Sequence, residues 1–131
     1  MVDFKEIFGL IENKKPDEEL SRGQKGAQYE DLALKFLLAN DLVLIKRNFN
    51  CKCGELDLLM EEKGSLVIVE VRYRKNNRYG SALESVTRTK QARIIAATKY
   101  YIVMHKIDQP IRFDVVAITG NNLPEWIKNA F

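Results

Sequence analysis

The sequence is short of the residues that staple small domains or hold soft metals: it has two cysteines and one histidine. Cys51 and Cys53 are separated by a single residue, and a disulfide between them would close a loop too tight for the preferred geometry. With His105 as the one further soft ligand, a four-ligand zinc site lacks members, and reduced thiols are expected. Long apolar runs are missing too. No stretch approaches the roughly 20 residues that span a bilayer, and Met1 to Glu6 shows neither the basic nor the apolar region of a signal peptide. A cytoplasmic protein without membrane contact is the expectation. There are no repeats and no low-complexity segment, and 131 residues suffice for one domain that buries its own core.

Charge is present in both signs but unevenly spread. The net charge is only +3. Residues 1–20 carry three lysines against six acids, whereas residues 72–93 carry seven basic residues (Arg72, Arg74, Lys75, Arg78, Arg88, Lys90, Arg93) against Glu84 alone. A basic segment of this kind suits a polyanion such as nucleic acid, or else a solvated loop and helix face.

Apolar periodicity places the elements. Phe4, Ile7, Phe8 and Ile11 have helical spacing, and the polar run ending at Pro16 stops that helix, so residues 1–20 read as an N-terminal helical appendage to a single domain over 21–131. Arg22 to Ala39 is helical, with Ala27, Leu34 and Leu37 on one stripe and Glu30 in its middle. A carboxylate there needs a partner, a proton or a metal. Leu42 to Asn48 reads as a strand. Gly54 to Met60 and Leu66 to Arg74 form a hairpin around Lys63 and Gly64, apolar on both faces except at a few charges. A helix from Arg88 to Met104 follows, capped by Thr87 or Thr89, then a buried strand from Ile111 to Ile118, then a short edge strand with a last turn packed by Trp126 and Phe131. The order describes an α/β fold with a central sheet covered on both faces.

The charges in the hairpin carry the chemistry. Side chains alternate along a strand, so Glu70 and Arg72 share a face, and the hairpin register puts Asp57 across from Glu70. Two carboxylates on neighbouring strands can share a hard cation such as Mg²⁺, which takes its remaining ligands from water and phosphate. Arg72 would face the same phosphate. The constellation suits metal-assisted phosphodiester hydrolysis, or else a satisfied ion-pair ladder, which would stabilise little.

Asp57, then Glu70-Val71-Arg72 after a hairpin, with Glu30 on a preceding helix, resembles the PD-(D/E)XK pattern of restriction-endonuclease-like nucleases. Several segments together are similar to the YraN-like family of small bacterial proteins. They are Gly26-Ala27-Gln28-Tyr29-Glu30-Asp31-Leu32-Ala33, the run Asn48-Phe49-Asn50-Cys51-Lys52-Cys53-Gly54-Glu55-Leu56-Asp57-Leu58, Val69 to Arg74, Lys90-Gln91, and Arg112-Phe113-Asp114-Val115-Val116-Ala117. The resemblance covers roughly residues 22–131. It implies a restriction-endonuclease-like mixed β-sheet flanked by helices on both faces, and a Mg²⁺- or Mn²⁺-dependent endonuclease acting on DNA, with branched or structured DNA as an extrapolation from related resolvases. It also implies Asp57 and Glu70 as metal ligands, the Val71 carbonyl as a candidate third, and Glu30 as an accessory acid beside catalytic Arg72. Arg74, Lys75, Arg78, Arg88, Lys90, Gln91 and Arg93 are the expected contacts to nucleic acid. Arg72 stands where the pattern has Lys; it stays charged at any working pH and cannot act as a general base, although Lys90 could bring an amine from the helix. A nucleic-acid-binding protein that keeps the scaffold without catalysis is the alternative. A protein-interaction subunit using Phe4, Phe8, Trp126 and Phe131, with a homodimer as one form, is a weaker third.

Overall fold

The computed structural model describes residues 22–76 and 80–131. The expected helix near the N-terminus and Arg78 lie outside them. Helix α1 (Arg22–Ala39) is followed by strands β1 (Val43–Cys51), β2 (Gly54–Glu62) and β3 (Ser65–Arg74), then helix α2 (Arg88–His105), β4 (Ile111–Thr119) and the short β5 (Glu125–Ile127). The five strands form one sheet in the order β1-β2-β3-β4-β5. Pairing is antiparallel except for β3 with β4, which run parallel because α2 carries the chain back between them. Among the described residues this is a restriction-endonuclease-like mixed sheet with one helix on each face.

The two faces explain why the strands are apolar on both sides. Leu32, Ala33 and Leu37 of α1 pack on Leu58, Met60, Val67, Val69, Val116 and Ile118. Ile94, Ala97 and Tyr101 of α2 pack on Leu56, Leu59, Ile68, Val115 and Ala117. Leu37 is fully buried, and Leu37→Ala is expected to cost about 2–5 kcal/mol. Thr87 caps α2 by accepting the Lys90 N–H at 3.2 Å, and Lys106 ends it in the left-handed conformation.

Two expectations shift. β1 runs on to Cys51, past the expected end at Asn48. The buried stripe of α1 is Leu32, Ala33 and Leu37, flanked by half-buried Tyr29, Leu34 and Phe36, whereas Ala27 is exposed. The stripe is thus rotated about the helix axis, and Glu30 falls at its edge instead of its middle. The cause is that both bulky Leu32 and Phe36 turn toward the sheet, where more apolar area is removed from water than Ala27 offers. Among the described residues no helix is long and apolar enough to cross a membrane.

Candidate functional site

The hairpin has the expected register: Leu58 pairs with Val69, Leu59 with Ile68 and Met60 with Val67. One step further, regular pairing gives way. The N–H of Val71 donates to Asp57 Oδ2 at 2.9 Å, so a carboxylate replaces a backbone carbonyl as the acceptor. The neighbouring strand prepares this. Phe49 pairs with Leu56 and both lie in the α2 layer, whereas Arg47 pairs with Leu58 and Leu58 lies in the α1 layer. Strict alternation would keep residues two apart on one face. Between the two pairs sits Asn48, at φ 52°, a conformation that Asn tolerates better than most residues. The face of the sheet switches at Asn48 and Asp57.

Glu70 is buried, with 4% of its surface exposed. Lys90 Nζ reaches its Oε1 at 3.0 Å from the first turn of α2, and Arg72 Nη1 lies at 3.6 Å. Arg72 is held from its other side: its Nε donates to Ser85 Oγ at 2.7 Å, from the short helical turn Leu83–Ser85. The guanidinium is therefore a fixed point of positive charge beside Glu70. Asp57 lies within hydrogen-bonding reach of Glu70, and burial, then the Glu70 charge, push its carboxyl up to about 7 against the pull of the Val71 N–H and Lys90.

Glu30 faces the same spot from α1. Burial first and the Asp57 charge second raise its carboxyl, while Arg47 and a hydrogen bond from Asn48 act the other way. Arg47 Nη2 is 3.7 Å from Glu30, and its Nη1 is 2.7 Å from Asp31. Glu30 is thus brought to the site but tied to Arg47. Among the described residues no three His, Cys, Asp or Glu side chains cluster as a metal-holding group.

Two clefts meet at the carboxylate pair. One, of about 370 Å³, is lined by Gly54, Glu55, Thr87, Thr89, Arg93 and Ile94 together with Asp57, Glu70 and Lys90. The other, of about 170 Å³, is lined by Gly26, Tyr29, Glu30, Val71, Arg72 and Tyr73 together with the same three residues. Of the expected contact residues, Lys90 and Arg93 line the clefts, and Arg74, Lys75 and Arg88 are exposed beyond them. Gln91 instead donates from Nε2 to the Val86 carbonyl at 3.1 Å and pins the entry to α2. Arg47, Ser85, Tyr29 and Tyr73 belong to the site and were not expected from the sequence. Tyr29 and Tyr73 stood only inside the segments that carry the family resemblance, and nothing in the chain order marked Arg47 or Ser85. Arg112 and Asp114, the other charges in an apolar strand, sit apart: Arg112 makes a two-pronged contact with Asp114 at 2.9 and 2.8 Å, and Asp114 also accepts from Trp126 Nε1 and the Asn129 N–H.

Comparison with known proteins gives the lineage. A family model described as "Uncharacterised protein family UPF0102" matches residues 29–118. The chain belongs to this family. Relatives include a UPF0102 protein of Nitrosomonas europaea, 45% identical over 113 residues that cover 85% of this chain and 96% of the relative. Another, from Legionella pneumophila, is 46% identical over 111 residues, covering 82% of this chain and 94% of the relative. The matched span of the UPF0102 model holds Glu30, Asp57, Glu70, Arg72 and Lys90.

Proposed function

We propose that this UPF0102 protein is a Mg²⁺- or Mn²⁺-dependent endonuclease of the PD-(D/E)XK type that hydrolyses phosphodiester bonds in DNA, with branched or structured DNA as the favoured substrate. The observation that carries the reading is the pair Asp57 and Glu70. Two carboxyls in hydrogen-bonding reach, Glu70 buried and Asp57 half-buried, sit at the meeting of two clefts, with fixed cations beside them and basic side chains on the rim. The donors fit a hard divalent cation: both are oxygens, and the excess negative charge that raises Asp57 is what a dication relieves. Asp57 and Glu70 would hold it, and the remaining ligands would come from water and substrate phosphate, as Mg²⁺ prefers. When bound, such an ion lowers the pKa of a coordinated water and offsets charge on the attacked phosphate.

The chain's own residues divide the rest. Arg72, locked on Ser85, presents positive charge to the phosphate without exchanging protons. Lys90 supplies an amine that sits in both clefts. It stands in for the Lys that the nuclease pattern has at position 72. Arg74, Lys75, Arg88 and Arg93 hold the strand by its phosphates. In a nicking assay on supercoiled and branched DNA, wild type is expected to cut only with Mg²⁺ or Mn²⁺. Asp57→Asn keeps an acceptor for the Val71 N–H and is expected to bind DNA but not cut it; cutting by that variant at an unchanged rate sinks the proposal.

A second reading has its own observation. Lys90 Nζ already neutralises Glu70 at 3.0 Å, which favours a DNA-binding scaffold that needs no metal. Calorimetric titration with Mg²⁺ separates the two: heat in wild type that is lost in Asp57→Asn supports the nuclease, and no heat in either supports the scaffold.

A further inference from the structure

The smaller cleft contains a feature that phosphate chemistry does not use. Tyr29 of α1 and Tyr73 of β3 lie face to face, with ring centroids 3.7 Å apart and planes 10° from parallel. Both line the cleft that holds Asp57, Glu70 and Arg72. Aromatic pairs usually settle offset or edge-on, with centroids roughly 4.5–7 Å apart, because the like-charged faces of two rings repel in a direct stack. The close stack is therefore set by the elements that carry the rings, helix α1 and strand β3. Tyr29 is half-buried and backs onto the α1 layer, while Tyr73 is 36% exposed. Arg72 precedes Tyr73, and exposed Arg74 and Lys75 follow it. Gly26, one turn before Tyr29 on α1, lines the same cleft.

We propose that the Tyr29–Tyr73 stack is a platform for one unpaired nucleobase of a DNA strand whose phosphates run over Arg72, Arg74 and Lys75. The proposal rests on the nuclease reading and narrows its substrate to DNA with an unpaired base next to the cut. The chemistry is sequence-tolerant, because every base has a π-face, and positive charge along the adjacent backbone is the usual companion of such stacking. Inside an intact duplex both faces of each base are covered by neighbours. Only a flap, gap, branch point or extruded base can offer a face to Tyr73. Tyr29 stiffens the platform from behind: burial and the Tyr73 hydroxyl hold its phenol above the ordinary range, so it stays neutral beside the anionic strand.

The test is binding of the full chain, without divalent metal, to a duplex with a single-stranded flap and 2-aminopurine at the first unpaired position, against the same duplex fully paired. Wild type is expected to quench the flap probe and to bind it more tightly than the paired duplex. Tyr73→Leu, which keeps bulk and loses the π-face, is expected to lose the quenching and about tenfold in affinity for the flap, with duplex affinity unchanged. Tyr73→Phe is expected to keep both. Equal affinities for flap and duplex in wild type, or a Tyr73→Leu variant that quenches like wild type, overturn the platform while leaving the metal-dependent nuclease standing. Failure of wild type to bind either DNA overturns both. A mononucleotide that displaces the flap at equal concentration shows that the platform takes free nucleotides, and overturns the strand assignment.

Discussion

Asp57 is the residue on which the site turns, and its chemistry yields a prediction that needs no substrate. Its carboxyl sits at about 7 in the folded chain against 3.8 ordinarily. The folded state therefore binds more protons than the unfolded state in between, and stability falls as pH rises from about 4 to about 7. Asp57→Asn removes the titrating group, so thermal unfolding of that variant is expected to show a flatter pH profile and a higher Tm at neutral pH than wild type. Mg²⁺ or Mn²⁺ is expected to raise the wild-type Tm at neutral pH by relieving the same repulsion, and to leave the Asn variant unmoved. At 100 times its Kd, a cation that binds only the folded state adds about 2.7 kcal/mol. Arg72→Lys is the complementary substitution. It restores an amine at the motif position but loses the bond from the guanidinium Nε to Ser85. If Lys90 already supplies the amine, the rate should fall or hold; a rise would mean that it does not.

At the scale of elements, the site exists because β2, β3 and α2 are pressed together at one end. A Cβ at Gly54 would come within 3.1 Å of the Arg93 carbonyl oxygen and 3.3 Å of the Arg93 Cβ. Backbone cannot give way as a side chain can, so Gly54→Ala is expected to cost about 1–3 kcal/mol in urea unfolding and to widen the larger cleft. The opposite corner of the sheet is tied by Asp114, fully buried, which accepts from Arg112, Trp126 and Asn129 while Arg112 reaches Glu62 at 2.8 Å. Asp114→Ala leaves these donors without their acceptor and is expected to cost about 3–5 kcal/mol, with chemistry at Asp57 unaffected in whatever fraction stays folded. Arg112 and Asp114 are charges inside the otherwise apolar strand Ile111 to Ile118, but chain order could not tell an ion pair that closes the sheet from one that acts on a ligand. Only the partners distinguish them.

At the scale of the whole molecule, a small net charge conceals a basic run over residues 72–93, and the proposed binding to DNA makes that run testable. Affinity is expected to fall with salt in proportion to the phosphates contacted, and replacing both Arg74 and Lys75 with alanine to reduce the slope of log K against log salt by about 1.8, or about 0.9 per contact. Much of the plan was legible in the sequence. The order of elements, the hairpin register and the nearness of Asp57 to Glu70 follow from period-two alternation and turn chemistry, which are local properties of the chain. So does the coverage of the sheet by helices, because strands apolar on both faces have no other way to bury themselves. What the chain order could not reveal is which side chains from distant segments meet. Glu30 had to be seen against Arg47, Tyr29 against Tyr73, and Arg72 against Ser85 before their roles separated, since each contact joins segments whose approach depends on helix rotation and on the switch of face at Asn48. By itself the sequence determined that two carboxylates and a guanidinium would converge on one hairpin. The tertiary structure alone decided that Lys90 closes on them from α2 and that a stacked aromatic pair stands beside them, because packing, not periodicity, sets the distance between elements.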